Sequence, residues 1–221
     1  MNLEELERKF NDLEKRLRIM EDIEEIKKLQ RAYGYYSDNH MGDEAADLFA
    51  DKDAYFEDKV HGGAIFLGKD RIREIIRRFF REGKPEAMNI LTLRMQLQGL
   101  INVSPDGTTA TGRWQMLSFQ TLPLAEEPDV LRPIILNGVY ENEYVKESGK
   151  WKIKKLVFNS TFCTTLEDGW VKRPVCLFAP AKDVKEYVKS LNPDRLGGYD
   201  DLTYVSGYRV PLNFKNPVTG K

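Results

Sequence analysis

Histidine and cysteine are scarce in this 221-residue chain, with two of each. Cys163 and Cys176 are too few for a disulfide scaffold at this length, so reduced thiols and a cytoplasmic setting are expected. His40 and His61 share no metal-type spacing such as HxxxH, and no resident zinc or iron is expected. Long apolar runs are missing as well: nothing approaches the ~18 residues of a membrane-spanning helix. The opening MNLEELERKF is too charged for a signal peptide. Charge of one sign is not in excess either, because 34 basic residues nearly cancel 35 acidic ones and leave a net charge of -1. No global field draws the protein to nucleic acid or to an anionic membrane, and neither is expected as a partner.

What is present is enough apolar material for a core, 41% hydrophobic against 31% charged residues, and the length suits one domain with extensions. Leu3, Leu6, Phe10, Leu13, Leu17 and Met20 alternate steps of three and four, an a/d heptad seam with almost entirely charged flanks. The seam ends where Glu24 takes the next a position. Such a helix either lies on its own domain or joins two subunits, and so narrow a stripe favours joining; a homodimer or higher homo-oligomer is expected. After Met20 the apolar phase shifts to Ile23, Ile26, Leu29, Tyr33 and Tyr36, predicting a second helix that ends near SDNHMGD. A short helix follows, with Asp43 as its N-cap. DAYFED (53–58) and AIFLG (64–68) read as short strands, and KDRIREIIRRFFREG (69–83) as an amphipathic helix.

From residue 90 the period becomes two. ILTLRMQLQGLINV (90–103) and TATGRWQMLSFQTL (109–122) flank SPDG, and IILNGVYENEYVK (134–146) and KWKIKKLVFNSTFCTT (150–165) flank ESG, two hairpin signals. PLAEEPDVLRP between them reads as a proline-bounded loop. The proline-rich remainder reads as an extended arm carrying one short helix at AKDVKEYVKSL. The predicted plan is α+β, a curved antiparallel sheet with helices packed on its concave face, flanked by an N-terminal heptad helix (1–20) and a C-terminal extension (167–221) around a domain at 21–166.

The order of these elements, and the segments IMEDIEEIKKLQRAYGYYSD (19–38), DLFADKDAYFED (47–58), GKDRIREII (68–76), SPDGTTATGRW (104–114) and YENEYVKESGKWKIKKL (140–156), resemble the SnoaL-like branch of the NTF2-like superfamily. The resemblance implies a cone-shaped fold with a pocket between helices and sheet. It also implies a mixture of activities, from cofactor-independent dehydratases and lyases to oxygenase small subunits and plain binding domains. In SnoaL-like dehydratases a tyrosine and an aspartate at the end of the first domain helix face the cavity, a spacing matched by Tyr33 and Asp38. Those enzymes add a histidine from a long strand; here no long strand carries one. The ending KNPVTGK is similar to bacterial SnoaL-like proteins, some of which are implicated in breakdown of lignin-derived aromatics.

Residue chemistry points the same way. A carboxylate among aromatic rings has its pKa raised toward that of a working base, and tyrosine hydroxyls can hold developing negative charge. Asp38, Tyr33, Tyr36 and His61 are the expected catalytic set; the alternative for Asp38 is satisfying backbone groups at a helix end, and that for His61 is a surface loop residue. Arg113, Gln115, Tyr140, Asn142, His40 and Gln96 are expected substrate contacts. Arg113 and Trp114 point to opposite faces of one strand, and an ion pair from Arg113 to Glu141 or Glu143 is the alternative to a ligand contact. The expected function is a cofactor-independent lyase acting on a hydrophobic aromatic small molecule, by dehydration or by retro-aldol-type C–C cleavage releasing a small aldehyde. A non-catalytic binding or assembly module and the small subunit of a ring-hydroxylating oxygenase are the alternatives. No cofactor is expected.

Overall fold

The computed structural model describes residues 2–59, 63–84, 89–124, 126–173, 184–197 and 209–220. Its first element, α1 (Leu3–Asp38), is a single helix of 36 residues. The break expected near Met20 does not occur, because neither glycine nor proline interrupts the sequence before Gly34. Only the apolar phase changes, and with it the surroundings. The six seam residues from Leu3 to Met20 are all exposed, whereas Ile26, Gln30 and Tyr33 are buried. The first half therefore does not lie on its own domain. The Asn2 side chain accepts from the Glu5 N–H at 2.8 Å and caps the helix, with Glu4 and Glu5 in the first turn.

A turn through His40, at φ 58°, leads into α2 (Gly42–Asp47). Asp43 lies in its first turn and Met41 takes the N-cap position, two residues earlier than expected. Strands β1 (Tyr55–Asp58) and β2 (Ala64–Leu67) precede α3 (Lys69–Phe79), which stops four residues short of Gly83 as Arg81 turns to φ 55°. Four long strands form a meander: β3 (Thr92–Val103), β4 (Thr109–Leu124), β5 (Glu127–Glu147) and β6 (Lys150–Thr165). The expected loop at 123–133 is instead the far end of the β4–β5 hairpin. Pro123 sits beside a register shift, where a missing N–H is tolerated, and Pro133 faces Thr121. Helices α4 (Gly169–Lys172) and α5 (Val184–Ser190) and the two-residue β7 (Arg195–Leu196) are the remaining elements among the described residues.

The sheet is curved and unclosed, in the order β3-β4-β5-β6-β1-β2-β7, and antiparallel except where β1 runs parallel to β6. Alternation divides its faces. Gly112, Trp114, Met116 and Ser118 of β4 are buried, as are Leu136, Gly138, Tyr140, Asn142 and Tyr144 of β5, while the residues between them are less covered. The second half of α1 packs across β3 on the buried side. Gly34 makes that approach possible: a methyl there would lie 2.8 Å from the Arg94 carbonyl oxygen. Among the described residues, no helix is long and apolar enough to cross a membrane.

Candidate functional site

Asp38 ends α1 against the edge strand β3. It is half-buried, and its Oδ1 accepts the Arg94 backbone N–H at 2.7 Å. Burial raises the carboxyl above its ordinary value, against the lowering pull of that N–H, the Arg94 charge and His40. A groove of about 300 Å³ runs along this contact, lined by Gly34, Tyr35 and Asp38 from the helix and Arg94, Gln96 and Leu97 from the strand. The carboxylate thus borders a groove and is not sealed in a dry hollow.

One turn back along α1, Tyr33 lies inside. Its ring meets Phe80 at 5.7 Å, Tyr140 at 6.2 Å and Phe49 at 6.4 Å between centroids, and Tyr140 rests 4.9 Å from Phe158. Burial pushes both phenols above their ordinary pKa, so both remain neutral donors at physiological pH. Arg94 opposes that rise at each hydroxyl, and Asp58 adds to it. The Arg94 guanidinium lies 5.4 Å from the Phe80 ring centre, and its buried Nε has no hydrogen-bond partner among the described residues. Arg94 therefore bears on both groups: its main chain donates to the carboxylate, and its charge favours the ionised form of the two phenols. Its alternation with Gln96 along β3 marks a polar inward face in the sequence, but nothing local singles it out.

Beneath the phenols is a polar network. The Gln30 side chain accepts from Asn142 Nδ2 and from the Tyr144 hydroxyl, both at 2.8 Å, and donates to Gln96 Oε1 at 2.8 Å. Trp114 Nε1 donates to the Tyr144 hydroxyl at 2.9 Å. Tyr144 shares the strand face of Tyr140 and Asn142, as alternation predicts, whereas Gln30, Trp114, Arg94 and Asp58 are not in the expected site. Gln30 could have been found, since a glutamine in phase with Ile23, Ile26 and Tyr33 must be buried and so needs partners.

The structure brings Asp38, Tyr33, Tyr140, Gln96 and Asn142 to this side of the sheet, with Tyr36 packed against the core. It removes Arg113 and Gln115. Because Trp114 occupies the buried face, both point the other way. Arg113 pairs with Glu141 across the β4–β5 register, and its Nη1 and Nη2 donate to the carbonyls of Pro211 and Val210 at 2.7 and 3.1 Å. It is a clamp for the C-terminal segment. His40 is displaced too: the helix ends before it, and its Nδ1 lies 2.7 Å from the Phe80 carbonyl, a turn-fixing contact. His61 lies outside the described residues. Trp170 stacks on Phe162 with centroids 5.0 Å apart.

Residues 18–157 match the model of the SnoaL-like domain. The chain belongs to the SnoaL-like family. Among solved structures, a proposed scytalone dehydratase from Novosphingobium aromaticivorans superposes with a TM-score of 0.52 at 22% identity, over 66% of this chain and 89% of that one. A proposed aromatic ring hydroxylase from the same organism gives 0.54 at 20%, over 67% and 96%. A hexachlorocyclohexane dehydrochlorinase, LinA type 2, gives 0.53 at 19%, over 68% and 92%. At these identities the likeness speaks to the SnoaL-like fold. No functionally curated protein matches the chain.

Proposed function

We propose that this SnoaL-like protein is a cofactor-independent lyase acting on a hydrophobic aromatic small molecule. The observation that carries the reading is the half-buried Asp38 carboxylate, raised in pKa by burial and held by the Arg94 N–H. It sits on the helix that also carries the neutral phenol Tyr33, with Arg94 linking the two. A base of raised pKa near a fixed cation and O–H donors is the equipment an elimination needs.

In a dehydration, Asp38 takes a C–H proton, the electron pair forms the double bond, and the departing hydroxyl leaves as water with a proton from a phenol. In a retro-aldol-type cleavage, Asp38 takes the proton of a primary alcohol. The C–C bond then breaks to release a small aldehyde, and its electron pair expels a neighbouring hydroxyl, again protonated as it leaves. Tyr35, an exposed residue of α1, lines the groove beside Asp38 and offers an aromatic face to a flat ring. The lignin-type ending KNPVTGK supports a diaryl diol as substrate.

The test is turnover of a panel of aromatic diols without added cofactor, by wild type and by Asp38→Asn. Turnover by the wild type that collapses in a folded Asp38→Asn supports the reading. Equal turnover by both removes Asp38 from the chemistry. A wild type that binds the diols unchanged, or that co-purifies with an iron-bearing partner, replaces the lyase with a binding module or an oxygenase small subunit.

A further inference from the structure

The first half of α1 presents an apolar seam to solvent. Leu3 is 71% exposed, Phe10 65% and Met20 65%, and Leu6, Leu13 and Leu17 lie between 49% and 59%. At 1.5 Å per residue this arm reaches about 27 Å. With the seam as a and d, the flanking positions separate by sign. The e positions are Glu7, Glu14 and Glu21; the g positions of the first two full heptads are Lys9 and Arg16, and all five are exposed. Such sorting is not needed for solubility, which mixed charges would serve equally well.

It matters for pairing. In a parallel coiled coil each g residue faces the e residue of the following heptad on its neighbour. Lys9 then meets Glu14 of the partner subunit, Arg16 meets Glu21 of the partner subunit, and symmetry repeats both pairs. In an antiparallel arrangement g faces g and e faces e, setting Lys9 and Arg16 against each other and glutamates against glutamates. Within one chain the arm makes local pairs, Lys9 with Glu5 at 3.2 Å and Arg18 with Glu14 at 2.5 Å, and its seam stays exposed. We infer that the arm is a parallel self-association device: its seam is covered by the same seam of a second copy of this chain, and the e/g charges forbid the antiparallel register. Both domains then lie at the same end of the rod, beyond Met20.

Sedimentation of the full chain at tens of micromolar should give at least twice the single-chain mass. Lys9→Glu with Arg16→Glu makes every e and g position acidic and should weaken association at least tenfold; so should Glu14→Lys with Glu21→Lys. Mixing the two variants should restore it. Orientation is read separately with Leu6→Cys under mild oxidation. Parallel pairing brings the two Leu6 positions within disulfide reach, while antiparallel pairing holds them on the order of 15 Å apart. Rapid cross-linking of Leu6→Cys, absent from wild type and from a Glu4→Cys control on the outer face, is the expected result. A single-chain mass for wild type, an assembly indifferent to both charge reversals, or no Leu6→Cys cross-link would each overturn the inference. All these positions are exposed, so the domain's circular dichroism should not change.

Discussion

Leu13 and Gln30 occupy the same helix, yet the apolar one is 59% exposed and the polar one is fully buried. Side-chain polarity does not decide burial along α1; the position of β3 and the sheet behind it does. Before Asp22 the helix has no sheet beside it, and its apolar stripe is narrow and sits among charges. From Asp22 onward the sheet covers one face, and Asp22, Gln30 and Asp38 find partners there, whereas the buried Ser37 hydroxyl has none among the described residues. Asp22 accepts from Trp151 Nε1 at 2.8 Å and pairs with Lys146, and Gln30 holds Asn142, Tyr144 and Gln96. Asp38 takes the Arg94 N–H. The rear half is thus fastened by polar hooks at both ends and the middle, while the front half has only its seam.

That contrast breaks most severely at Asp38. If its carboxylate is the working base, Asp38→Asn should lower kcat/KM for the diol substrate by about 10²–10⁴, with the domain still folded. At the other end, Asp22→Ala strands the Trp151 N–H and the partly buried Lys146 ammonium. A loss of about 2–4 kcal/mol in urea unfolding is expected. In the middle, Gln30→Leu keeps the volume but removes the common partner of Asn142, Tyr144 and Gln96; a loss of roughly 2–3 kcal/mol should follow. If either substitution proved neutral in denaturation curves, the hooks would not be what holds the rear half.

The fold was legible in the sequence because period and punctuation agree: heptad, helix, then period-two runs split by SPDG and ESG. Where they disagreed, punctuation misled. Pro123 and Pro133 signalled a loop, yet cross-strand pairing on both sides of them carries the β4–β5 hairpin through. The site was only half legible. Tyr33 and Asp38 follow from helical phase and family likeness. Arg94 lies 56 positions from Asp38 and is brought to it by tertiary packing, which single-strand alternation cannot reveal. Alternation also leaves the choice of face open: Arg113 and Trp114 were equally eligible to point inward until burial of the indole decided it.

On the front half the expected stability effect is far smaller. Leu13→Asp alters an exposed side chain, so the domain's own unfolding free energy should move by less than ~0.5 kcal/mol. The same substitution would be costly had the arm been packed on its domain, so a shift of several kcal/mol measured at a concentration too low for association would refute the picture of a projecting arm.

The finest test concerns pH. The folded-state pKa of Asp38 is raised, whereas the unfolded chain titrates near the ordinary value of about 3.9. Between those values the folded state holds more protons than the unfolded one, so stability falls as pH rises through that window. Above the folded pKa the ionised carboxylate imposes a constant penalty; below the unfolded value the penalty vanishes. Asn keeps an oxygen for the Arg94 N–H but never ionises. Asp38→Asn should therefore melt slightly higher than wild type at pH 7, and the difference should shrink to nothing as the pH falls toward 3.5. The small size of the effect follows from the half-exposed setting, where solvent screens the charge. A variant less stable than wild type at pH 7 would mean that the carboxylate is a structural cap, and the pKa elevation on which its role as base depends would lose its support.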